Sequence, residues 1–139
     1  MSTLSLQRSK AVLDKEGYHV WITEHWHSFA KRRVDLFNMC DLIAIRHDMN
    51  GVLGVQACGE DLQPHLNKLL GDNLIGKIGM GYTPPNPHLP VWLCHNQFEI
   101  WQWLKRGARG ERKLWVCRKW QAILSPQGQV SFARVEESQ

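Results

Sequence analysis

Three side chains in the stretch "DLIAIRHDMNGVLGVQACG", Asp41 to Gly59, have types and spacing that could do chemistry. An acid, Asp41, opens one apolar run, and Gln56 and Cys58 close the next. Side chains on a strand alternate, so Gln56 and Cys58 share a face. Asn50-Gly51 is a strong hairpin signal between the runs, and a tight turn there returns the chain so that Asp41 stands beside them. A carboxylate, an amide and a thiol would then meet at one sheet end. Each also has an ordinary structural role. Asp41 could cap a turn or pair with Arg33 or Arg46, Gln56 could be a satisfied core amide, and Cys58 a small packing residue. A Cys–His hydrolase would need His25, His27 or His47 as base, and no local signature supports one.

The elements that must position these groups follow from pattern. "LSLQRSKAVLDKEGY" predicts a first helix, capped near Ser2 or Ser5 and stopped at Gly17. "YHVWIT", Tyr18 to Thr23, predicts a strand. "EHWHSFAKRRVDLFN", 24 to 38, has no clean period and predicts a loop with at most a helical turn. The runs "CDLIAIR" and "VLGVQAC" predict the hairpin, and the continuous "LIAI" predicts a strand covered on both faces. "GEDLQPHLNKLLGDN" predicts a helix stopped at Gly71. "IGKIGMGYTPPNPHLP" predicts irregular chain, with a second helix from near Pro87 through "LPVWLCHN". "QFEIWQWL", "RKLWVCRKWQAIL" and "QVSFARV" predict three more strands, the last at an edge. The class is α/β or α+β, a central mixed sheet flanked by helices.

At 139 residues the chain fits one domain, 1–139, with a core over about 5–104 and a basic loop and C-terminal strands over 105–135. Cys40, Cys58, Cys94 and Cys117 lack any Cys-x-x-Cys pair, which argues against a structural zinc and for free thiols. No apolar run reaches membrane-spanning length, and the N-terminus has no signal-peptide pattern, so the expected location is cytoplasmic. Net charge is +4, but "KRGARGERKLWVCRK", Lys105 to Lys119, carries seven Lys and Arg against Glu111 alone. A basic loop of this kind suits a polyanion, with a merely solvated turn as the alternative. Of the seven Trp, Trp21, Trp101, Trp103 and Trp115 fall in predicted strands as core or half-buried positions. Trp26 and Trp120 lie among basic residues, where aromatics can stack on unpaired bases.

The order helix, "GYHVWIT", "DLIAI", turn, "GVQAC", helix resembles the core of the PD-(D/E)XK nuclease superfamily over roughly residues 5 to 104. It is most similar in layout to small Holliday-junction-resolvase-like members, including uncharacterised ones borne by phages. The resemblance implies a restriction-endonuclease-like α-β-β-β-α-β core and a DNA endonuclease site holding Mg²⁺ or Mn²⁺. Asp41 falls on the family Asp, and Gln56 and Cys58 fall on its Glu and Lys, so Asp41 and Gln56 become the implied metal ligands. Both exchanges matter. Gln56 brings a carbonyl oxygen without charge, although some members of the superfamily use Gln there. Cys58, with a reference pKa of about 8.5, cannot act as a cation at neutral pH. Losing one charge stabiliser typically costs on the order of 3 kcal/mol of barrier.

Nearby residues offer replacements. Glu24 and Asp35 would add carboxylates to the catalytic set, and Lys31 and Arg33 would bring positive charge to a phosphate. Lys31, Arg33, Lys105, Arg106, Arg109, Arg112 and Lys113 form the expected nucleic-acid-binding set. The resemblance also implies a homodimer, since two strands of a branched substrate must be met symmetrically. A second hypothesis keeps the fold and the basic loop but not catalysis, leaving a module that binds DNA or a protein partner. A structural subunit of a larger assembly has no positive signature.

Overall fold

A computed structural model describes residues 4–71 and 83–135. Helix α1, Leu4–Lys15, buries Leu6, Ser9 and Leu13 along one stripe. It ends as a glycine-terminated helix should. Gly17 takes φ +88°, its N–H donates to Asp14 O at 3.2 Å, and Tyr18 N–H donates to Leu13 O at 3.0 Å. That paired bond pattern aims the chain directly into strand β1, His19–Ile22.

The main sheet has six strands. After β1 come β4 (Leu42–Ile45) and β5 (Leu53–Cys58), then β6 (Gln97–Arg106), β7 (Leu114–Leu124) and β8 (Val130–Arg134). Their spatial order is β1-β4-β5-β6-β7-β8. Every neighbouring pair is antiparallel except β5 and β6, which run parallel. A parallel pair needs a crossover, and the segment containing α2 (Gln63–Leu70) and α3 (His88–Trp92) supplies it. The sheet is mixed and helices lie on both sides, the expected α+β class.

Two apolar layers hold the sheet. On the α1 side Leu6 and Leu13 pack with Leu42, Ala44, Leu53, Val55, Trp101 and Trp103. Trp103 Nε1–H donates to Ser9 Oγ at 2.9 Å, and Ser9 Oγ–H donates to Ser5 O at 2.8 Å, so the buried polar atoms are satisfied. On the α2/α3 side Leu69 and Leu89 pack with Met39, Cys40, Cys58, Phe98, Ile100 and Ala122. Residues 53, 55 and 57 of β5 therefore face α1, and 54, 56 and 58 face α2.

Three expectations need correction. Residues 24–38 do not form a simple loop. They hold a small separate hairpin, β2 (His25–His27) paired with β3 (Arg32–Val34). Its residues from His25 to Arg32 are all exposed, so no apolar alternation marks the strands, and Lys31 at φ +52° closes the turn without Gly or Asn. The helix from Pro87 spans only His88–Trp92; beyond it Cys94 and His95 make tighter turn bonds to Val91 O and Trp92 O, and Asn96 Oδ1 accepts Val52 N–H at 2.9 Å. Trp21 is 73 % exposed, on the side of edge strand β1 that the helices leave uncovered, and Trp115 is exposed beneath Arg8 at 3.9 Å. Trp101 and Trp103 are buried as expected. The Ser2 cap, most of the irregular stretch and the polar tail lie outside the described residues.

Gly54 sits where the α2-side layer closes on the sheet. A Cβ there would lie 2.5 Å from Cys40 Sγ and 3.1 Å from the Trp92 ring. Gly54→Ala is therefore expected to destabilise the fold by about 1–3 kcal/mol through overpacking. Urea or thermal unfolding followed by circular dichroism checks this, and an unchanged midpoint would show that the α2-side layer can yield.

Candidate active site and nucleic-acid interface

The strand register assembles the site. Leu42 pairs with Val55, which sets Asp41 across from Gln56, and Ile22 pairs with Leu42, which sets Thr23 beside Asp41. The Asp41 backbone is fixed on both sides. Its N–H donates to Val55 O at 2.8 Å, and its carbonyl accepts the N–H groups of Thr23 and Glu24 at 2.9 and 3.0 Å. Asp41 is only 8 % exposed, and its Oδ2 accepts Ala57 N–H at 2.9 Å. Burial pushes its acid up to about 7, the Ala57 bond opposes this, the charges of Asp35 and Glu24 add to it, and Lys68 works against them.

The other two carboxylates are each matched by a cation. Glu24 accepts from Arg33 at 3.1 Å, and Asp35 accepts from Lys68 at 3.2 Å. Arg33 thus pairs with Glu24 and not with Asp41. Gln56, 2 % exposed, places Oε1 3.1 Å from His65 Nδ1. A carbonyl oxygen can only accept, so His65 donates from Nδ1. Burial foremost, with Lys68 next, lowers the His65 pKa and favours that neutral ring. Cys58 lies in the apolar α2-side layer, and burial foremost, then Asp41 and Asp61, push its thiol up to about 12. At neutral pH it is a packing group, neither a cation nor a nucleophile.

Asp41, Gln56, Glu24 and Asp35 are thus brought to one sheet end. Sequence reasoning missed Lys68 and His65. Both sit on α2, flanking the Leu62, Leu66 and Leu69 stripe that packs on the sheet, and that polar margin was the available signal. The donor chemistry, carboxylates with an amide carbonyl, suits a hard divalent cation. The charge balance suits it too. Three acids face Arg33 and Lys68, and Asp41 has no ion pair of its own among the described residues. The positions are less gathered: among the described residues no group of three or more His, Cys, Asp or Glu stands close enough to hold a metal ion.

The basic residues flank this end. Because β5 and β6 run parallel, their C-terminal ends lie with the start of β4 and the end of β1. The β2–β3 hairpin leaves from the β1–β4 side, and the β6–β7 loop leaves from the other, so strand order puts Asp41 and Gln56 between them. Lys31 lies in the hairpin turn, exposed, away from the Glu24–Arg33 pair at its base. At the end of β6 Lys105 is exposed and Arg106 pairs with Glu60 at 3.1 Å; in the loop Arg109 and Arg112 are exposed and Lys113 Nζ donates to Gly107 O at 3.1 Å. Among the described residues no helix is long and apolar enough to cross a membrane. Compared with protein-family models, curated proteins and solved structures, the chain finds no match.

The Asp41 environment sets a pH dependence. Its folded acid lies above the ordinary carboxylate value, so the folded chain holds more protons than the unfolded one between about pH 4 and 7. Stability from this group is present below that window and is lost as pH rises through it. Asp41→Asn, which can still accept Ala57 N–H, is expected to flatten the fall between pH 4 and 8 and to raise stability at pH 8. Urea titrations of both proteins across this range check it, and an unchanged slope would assign the dependence elsewhere.

Proposed function

We propose that this is a nucleic-acid-binding protein of PD-(D/E)XK nuclease type, a metal-dependent DNA endonuclease of the resolvase-like kind acting in the cytoplasm. The observation that carries the reading is the position of the buried acid Asp41, with Glu24 and Asp35, at the sheet end between two basic projections. A phosphodiester backbone drawn to the hairpin and the β6–β7 loop would pass over that end. Asp41 and Gln56 would hold Mg²⁺ or Mn²⁺, which when bound supplies an activated water and stabilises the leaving oxygen. Lys68, reaching from α2, takes the part of the absent strand lysine and sets positive charge beside the acids. Arg33 does the same on the hairpin side. A homodimer would present two such sites to a branched substrate.

A second reading is favoured by the engagement of Gln56 with His65 and by the neutral thiol of Cys58. It is a nuclease-fold module that binds DNA, or a protein partner, without cutting.

Labelled single-stranded, duplex, flap and four-way-junction DNA, incubated with Mg²⁺ or Mn²⁺, separates these readings. The endonuclease reading expects cleavage that Asp41→Ala abolishes and that Lys68→Ala slows on the order of 10²-fold with binding retained. Joint replacement of Arg109 and Arg112 by Ala is expected to weaken binding on every substrate and reduce the slope of log affinity against log salt by about 2. Salt-sensitive binding without cleavage, unchanged in Asp41→Ala, would establish the binding module. Absence of both would overturn the nucleic-acid reading.

A further inference from the structure

We infer that the β2–β3 hairpin is a stacking probe for an unpaired base, so that the preferred nucleic acid is one carrying single-stranded nucleotides at a flap, fork or junction. This deepens the nucleic-acid reading above and rests on it. Phe29, in the turn between β2 and β3, is 93 % exposed, the most exposed large apolar side chain among the described residues. An aromatic ring left in water forgoes the stabilisation that burial would bring, and at a hairpin tip it stands free to take a planar partner. Trp26, also exposed, lies one strand position from the turn and opposite Arg33.

The turn carries a hydrogen bond of its own. Ala30 N–H donates to His27 Nδ1 at 3.0 Å, directly across the tip. Lys31 holds φ +52°, the left-handed conformation that lets the chain turn back into β3. At the base, the Glu24–Arg33 ion pair and the three-residue β2–β3 ladder tie the hairpin to the acidic site.

Charge identifies the occupant. From His25 to Val34 the hairpin carries Lys31, Arg32 and Arg33 and no acid. Lys31 and Arg32 follow the ring after Ala30 and are exposed. A planar aromatic surface with cations alongside matches a base with its flanking phosphates, and every base offers a π-face regardless of sequence. An unpaired base offers that face without the cost of opening a duplex, whereas entry into paired DNA must first unstack it. The hairpin also leaves the sheet from the end that bears Asp41. A base held at its tip would therefore guide the adjoining strand toward the acids.

The experiment compares wild type, Phe29→Ala and Phe29→Trp on blunt duplex and on the same duplex with a single-stranded flap bearing 2-aminopurine. Metal is omitted so that binding alone is read. Phe29→Ala is expected to bind the flap about tenfold more weakly and the blunt duplex unchanged. Phe29→Trp is expected to restore flap binding and to quench the 2-aminopurine. Because Phe29 is exposed, circular dichroism should superimpose for all three. Equal losses on both DNAs, or no loss on either, would overturn the stacking role while leaving a wild type that still binds DNA. A wild type that binds neither DNA would remove the nucleic-acid reading and this inference together. Dissociation of a dimer by Phe29→Ala in sedimentation, with flap binding unchanged, would assign the ring to self-association instead.

Discussion

Everything at the candidate site depends on the register of β5. Leu53–Cys58 is almost wholly buried, pairs antiparallel with β4 and parallel with β6, and supplies side chains to both apolar layers. A slip of one residue would turn Gln56 and Cys58 toward α1 and put Val55 and Ala57 under α2. Two apolar layers, each selecting one set of alternate residues, forbid that slip. The same register sets Asp41 across from Gln56. The parallel pairing with β6 then carries the basic β6–β7 loop to the same end of the sheet. Register, set by apolar packing, is thus what decides where the charges go.

Those charges occupy a place where water is scarce. Two acids are matched by Arg33 and Lys68, and the third, Asp41, relies on one backbone N–H and on proximity to Lys68. Burial of an unpaired carboxylate disfavours its ionised form, and two neighbouring anions add to the penalty. A fold selected for stability alone would replace such an acid with an apolar residue, as buried ionic groups often permit. The arrangement is understandable if the excess negative charge is there to meet a cation or to move a proton.

Much of this was legible in the chain. The α1 stripe ending at Gly17, the β4–β5 hairpin and the α2 leucines depend on period and on turn residues, and those signals are local. The mixed sheet and the shared face of Asp41, Gln56 and Cys58 follow from them. The β2–β3 hairpin was not legible, because a segment exposed from His25 to Arg32 has no reason to alternate and a turn closed by Lys31 lacks Gly or Asn. Trp21 and Trp115 misled for a related reason. Strand membership says that a residue has a face, and only the tertiary arrangement says whether a helix covers it. Lys68 and His65 stayed hidden because the leucines beside them explain the helix without help.

A thiol at position 58 has a physical reading through α2. Position 58 lies in the layer with Met39, Leu69 and Ile100, where an ammonium group would have to be stripped of water. Lys68 approaches the same acids from the margin of the helix, with 31 % of its side chain still exposed and its charge already matched by Asp35. A cation held there keeps part of its hydration and the long, flexible reach of a lysine. With Leu69 of α2 in the same apolar layer as Cys58, a small group fills the strand position and charge reaches the site from the margin of the helix. Cys58 and Lys68 are two sides of one packing solution, and the acids they face set the requirement.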